Sequence, residues 1–167
     1  MTGAGFTVLH DTELYDYPAY SGAYDRSKAA VERYLAQYPT IKVVLDVHRD
    51  ALVGEQGEVY KTLANVDGAE MAQVMLVVGS NDTGLSHPNW QKNLTLALRL
   101  EGRMNEAAPT LARPITIRTN RFNQQLTTGS LLVEVGSHGN TLQEALAAAR
   151  LFADTPAQEL KPLMAQP

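Results

Sequence analysis

Two hydrophobic periodicities take turns along this chain, and their alternation limits the folds open to it more than any other feature. Short runs at Phe6 to Leu9, Ile41 to Val47, Glu58 to Val66, Met71 to Val78, Ile115 to Ile117 and Leu131 to Val135 read as strands. Ala30, Val31, Tyr34, Leu35 and Tyr38 form the stripe of an amphipathic helix that Pro39 stops, and Leu94, Ala97, Leu98, Leu100 and Met104 repeat the pattern over Trp90 to Ala107. Thr141-Leu142-Gln143-Glu144 is a capping box that opens a third helix, with Leu142, Ala145, Leu146 and Ala149 on one face. Asp67-Gly68 is turn-prone, so the strands on either side of it are expected to form an antiparallel insertion. Strands alternating with helices of this length predict an α/β domain of three layers, with a mostly parallel twisted sheet and helices on both faces.

The 167 residues fit one domain, expected over 1–155, with a frayed tail at 156–167. Net charge is −4 and the basic residues are scattered, so no nucleic-acid footprint is present. With no cysteine, any metal must be held by His, Asp and Glu. The longest apolar runs, such as Met75 to Val78, fall far short of the roughly 20 residues of a membrane helix, and Met1-Thr2-Gly3 starts no signal peptide.

Common phosphate-loop, dinucleotide, nucleophile-elbow and HExxH fingerprints are missing. Four histidines and one misplaced carboxylate remain. Asp46-Val47-His48-Arg49-Asp50 closes an apolar strand with four polar residues in five, which is costly at a sheet unless the groups are paired or bound. Strand alternation aims Asp46 and His48 the same way, so Asp46 is expected to orient the imidazole. The plain alternative is a surface strand end with an Arg–Asp pair. Glu134 lies between Val133 and Val135, where a carboxylate must be satisfied or tuned for proton transfer, unless the strand is an edge facing water. His10 and His138 each follow a strand and are further metal candidates, whereas His87, before Pro88, reads as a loop residue. Arg121-Phe122-Asn123-Gln124-Gln125 follows a strand and offers hydrogen-bond donors to a sugar or peptide, or is an ordinary polar loop.

The segments HDTELYDYPAYSGAYDRSKAAVERYLAQYP, VVLDVHRDAL, VGSNDTGLSHPNWQKNLTLALRL, RFNQQL and LLVEVGSHGNTLQEAL, from about Phe6 to about Phe152, resemble the stage II sporulation protein P family. The resemblance implies an amidase-like α/β fold and a cell-wall hydrolase related to zinc-dependent N-acetylmuramoyl-L-alanine amidases, possessing endopeptidase activity as well. It implies Zn2+ as cofactor, His48 as a zinc ligand and Glu134 as the catalytic carboxylate. Arg49, Arg121 and Asn123 are then candidate contacts to peptidoglycan glycan strands and stem peptides. A lytic transglycosylase partner and a site at the cell envelope follow from the same resemblance. The family's other zinc ligands sit in an upstream HTHxxE-like segment that these residues do not contain, so the chain is expected to be a catalytic-domain portion truncated at its N-terminus. The rival expectation is a degenerate module that binds glycan without cutting it.

Overall fold

Residues 1–164 are described by the structure, a computed structural model. Its elements are α1 (Ala23–Gln37), β1 (Val44–Asp50), β2 (Leu63–Val66), β3 (Ala69–Ala72), β4 (Val74–Gly79), α2 (Trp90–Ala107), β5 (Thr116–Arg118), β6 (Ser130–Ser137) and α3 (Leu142–Met164). Four strands form one sheet in the order β1-β6-β4-β5. The β1–β6 and β4–β5 pairings are parallel and the central β4–β6 pairing is antiparallel. The expected insertion is present as the β2–β3 hairpin, turned by Asp67 at φ 52° and Gly68 at φ 83°, the two positive angles that a tight two-residue turn requires.

Strand alternation divides the sheet into two unlike faces. Val74, Leu76 and Val78 of β4 and Leu131, Val133 and Val135 of β6 face α2 and α3, which contribute Ala97, Leu100 and Met104, and Ala145, Ala148 and Phe152. Leu76, Leu100 and Leu131 are almost wholly enclosed there, and burial of each side chain contributes about 1.5–3 kcal/mol. The other face carries only a small cluster of Met75, Val77 and Leu132 under Phe122. There α1 arrives through Tyr24, whose ring stands 5.8 Å from that of Phe122. The α/β architecture therefore holds, with one thickly covered face and one thinly covered face. Asp46, His48 and Glu134 lie on the thin side.

Three local expectations are corrected. Phe6 to Leu9 is no strand: it has no ladder partner among the described residues, and Val8 and Leu9 remain exposed. A strand without a partner leaves its backbone groups to water. On α3 the inward stripe is Ala145, Ala148 and Phe152, while Leu142 and Leu146 are exposed. The alanines let the helix lie close against β3 and β6. The supposed frayed tail is helical from residue 156 to 164, because Thr155, Pro156, Ala157 and Glu159 are buried and Glu159 receives Arg99 and Arg103 of α2. Residues 165–167 of that tail lie outside the described residues. Among the described residues no helix is long and apolar enough to cross a membrane.

Candidate functional site

Because β1 and β6 are parallel neighbours, their registers decide which polar groups meet. His48 lies opposite Glu134, and Asp46 opposite Leu132, so all four belong to the thin face. Every β6 residue except Glu134 is buried. Its carboxyl is half-buried and Oε2 is enclosed with no hydrogen-bond partner among the described residues. Burial pushes the carboxyl above its ordinary pKa, the His48 charge opposes this, Asp50 and Asp46 add to it and Arg113 opposes it. A carboxylate with an unclaimed oxygen and a raised pKa is suited to taking up a proton and returning it.

The His48 ring is fixed rather than free. Its Nε2–H donates to Asp46 Oδ1 at 2.8 Å, as strand alternation predicts. That hydrogen bond raises the imidazole pKa, with burial acting against it. In the neutral ring, a proton on Nε2 leaves the Nδ1 lone pair available to a ligand or metal. His48 thus has one ring nitrogen that Asp46 does not occupy. The described residues contain no group of three or more His, Asp or Glu side chains placed to hold an ion, so the described part of this chain does not complete a zinc site.

The remaining candidates are placed as follows. Arg49 donates to the carbonyls of Ser137, at 2.6 Å, and Asn140, and so ties the end of β1 to the turn before α3. His138 is exposed in that same turn, and its backbone N–H donates to the Asp50 carbonyl at 2.8 Å. His10 is exposed in the segment before α1. Arg121 Nη1 donates to the Ser86 carbonyl at 2.8 Å, and Asn123 Nδ2 to the Tyr24 carbonyl at 2.8 Å and to Ser27 Oγ at 3.0 Å. The structure thus brings together Asp46, His48 and Glu134, while Arg49, Arg121 and Asn123 are engaged in holding backbone.

Sequence reasoning singles out Arg121 to Gln125 for hydrogen-bond donors, but neither their part in walling the site nor Tyr24. Phe122 and Asn123 both adopt left-handed backbone, at φ 51° and 57°, an expensive conformation for an aromatic residue. Held this way, Phe122 covers Leu132 and Asn123 clamps the start of α1. Gly79 makes room for the loop, since a Cβ there would lie 2.8 Å from Arg121 Cα. Tyr24 is thereby seated beside the site, its phenol pKa pushed up by burial and by the Asp46 and Glu134 charges. Period and composition give no signal for it. His87 lies in the loop after β4, as its place before Pro88 suggests, but it is enclosed there: neither ring nitrogen has a partner among the described residues, and burial together with the Arg121 charge holds its pKa down. A shallow depression of about 220 Å³ beside Lys42, Lys92 and Arg99 lies at the opposite, amino-terminal end of β1 and β6.

Comparison with known proteins identifies the family. The model of the stage II sporulation protein P (SpoIIP) family matches residues 1–157. The chain belongs to the stage II sporulation protein P family. It is 29% identical over 140 residues to stage II sporulation protein P of Bacillus subtilis (strain 168), an alignment covering 81% of this chain. The match covers 32% of that relative, so this chain spans about a third of its length. His48 and Glu134 both fall inside the matched region.

Proposed function

We propose that this chain carries the catalytic carboxylate of a peptidoglycan hydrolase that cleaves the amide between N-acetylmuramic acid and the L-alanine of the stem peptide. The observation that supports the reading is the pairing of Glu134 with His48 on adjacent parallel strands, on an open face, with Glu134 Oε2 unclaimed. A carboxylate in that state takes a proton from an attacking water as its oxygen bonds to the lactyl carbonyl carbon. The same carboxyl then gives the proton to the alanine nitrogen as the C–N bond breaks, leaving a muramic carboxylate and a stem peptide with a free amino terminus. Asp46 keeps His48 in one tautomer with its free nitrogen directed by the hydrogen bond at the other.

Zinc enters this proposal through His48 alone, as one donor to an ion whose other ligands are outside the described residues; bound there, the ion would supply Lewis-acid polarisation. A location at the cell envelope, endopeptidase activity and a lytic transglycosylase partner belong to the same proposal and rest on the family. The test is digestion of purified peptidoglycan sacculi by the full product of the gene, with mass spectrometry of the soluble fraction. Stem peptides that begin with L-alanine bearing a free amino group support the reading. Sacculi that are bound but left uncut overturn it in favour of a glycan-binding module.

A further inference from the structure

We propose that Arg113 is a positioning residue for the His48–Glu134 pair, acting through an ion pair with Asp50 that spans β6. The strand order places β6 between β1 and β4. Asp50 ends β1. Arg113 belongs to the other side: its backbone N–H donates to the Val74 carbonyl at 2.8 Å, and Val74 of β4 pairs with Val135, the residue after Glu134. The Arg113 Nη1 to Asp50 Oδ2 contact of 2.8 Å therefore crosses the strand that carries Glu134. Both side chains are only 21% exposed, so the pair is less screened than an ordinary surface ion pair.

The end of β1 needs such a brace. The β1–β6 register breaks between His48 and Asp50, immediately after the imidazole, on a strand at the sheet's edge. Asp50 is held at three points: Oδ2 by Arg113, Oδ1 by the N–H of Ala51 at 2.8 Å, and its carbonyl by the N–H of His138 at 2.8 Å. Only the first reaches across the site. After the His48 charge, that of Arg113 also opposes the acidic Asp50 and Asp46 at the Glu134 carboxyl. Without it, Asp50 becomes a partly buried, unpaired carboxylate, which is strongly unfavourable, and the strand end must move to reach water.

The kinetic arm of the test rests on the hydrolase reading; the spectroscopic arm does not. Arg113→Gln, Arg113→Lys, Asp50→Asn and the double variant Arg113→Gln/Asp50→Asn are made in the full product of the gene. Initial rates on a soluble peptidoglycan fragment are followed together with the 15N ring signals of His48. Arg113→Gln should lower kcat about 10- to 100-fold with KM within about twofold, since a displacement near 1 Å at a reacting centre costs on that order. It should shift the His48 ring signals, whereas Arg113→Lys should retain both. The double variant should be no worse than either single change, because the two residues act as a unit. A full kcat for Arg113→Gln, measured well below its melting temperature, would reduce the pair to a structural brace and overturn the proposal. A raised KM with unchanged kcat would make Arg113 a substrate contact and also overturn it. If the wild type cuts no peptidoglycan, the hydrolase reading fails by itself, and the His48 signals decide alone: unmoved signals in Arg113→Gln overturn the positioning role and shifted signals support it.

Discussion

Gln124→Leu is the substitution whose cost can be worked most fully from the structure. Gln124 is 1% exposed, and its amide closes the end of β4 from both sides: Oε1 accepts the Gly79 N–H at 2.9 Å and Nε2 donates to the Val77 carbonyl at 2.9 Å. Leucine has nearly the same size and neither function. Two buried backbone groups lose their partners, each at about 1–3 kcal/mol. The leucine's own burial returns part of this, leaving a net loss of about 3 kcal/mol. For a domain of this size that is a fall in Tm of about 6–12 °C. The same loop carries Phe122 and Asn123, so the seat of Tyr24 should loosen as well. Differential scanning calorimetry at pH 7 reads the first effect, and quenching of tyrosine fluorescence reads the second. A Tm within about 2 °C of wild type would refute the reasoning, since it would mean that the two backbone groups find other partners at no cost.

Two further predictions concern the helices and the buried histidine. Thr141 Oγ accepts the Glu144 N–H at 3.2 Å while Glu144 accepts the Thr141 N–H at 3.0 Å; Thr141→Ala should therefore cost about 1 kcal/mol, seen as a fall in Tm of about 2–4 °C. Because burial lowers the folded pKa of His87, an unfolded chain binds a proton below about 6.5 that the folded chain refuses, so its contribution to stability is full above that pH and is lost as pH falls toward the folded value. His48 works in the opposite sense, its pKa being raised by Asp46. The informative measurement is thus the difference: Tm of wild type minus Tm of His87→Leu should decrease from pH 7.5 to pH 5, and a difference independent of pH would contradict the neutral buried ring.

What was legible in the sequence was whatever depends on local chemistry. α2 runs from Trp90 to Ala107 as its stripe and the following Pro109 dictate, the Thr141–Glu144 capping box forms both of its hydrogen bonds, and the Asp67-Gly68 turn joins β2 to β3. Asp46 and His48 were also legible, because alternation along one strand fixes their common side. Glu134 stood out as a carboxylate in an apolar run, but its position opposite His48 is a matter of strand register, which no single segment encodes. The misreadings share a cause. Phe6 to Leu9 has strand composition and no partner among the described residues, and Leu142 and Leu146 have helical spacing and face water; His87 is a loop residue as read, but its enclosure comes from contacts that no local pattern signals. Arg113 sits in a segment without a distinctive pattern, and Tyr24 lies outside the apolar stripe that marks α1; only the tertiary fold brings them to the site.

The central claim is that Glu134 moves the proton, and Glu134→Gln tests it most directly. The amide is nearly isosteric, and because burial raises the pKa of Glu134 the folded chain disfavours its charge, so Tm at pH 7 should hold or rise slightly. Stem-peptide release from purified sacculi by the full product of the gene should nevertheless fall by about 10²- to 10⁴-fold, the usual contribution of a positioned acid–base group. Release at the wild-type rate from a variant with an unchanged melting transition would contradict the account and place the proton acceptor elsewhere.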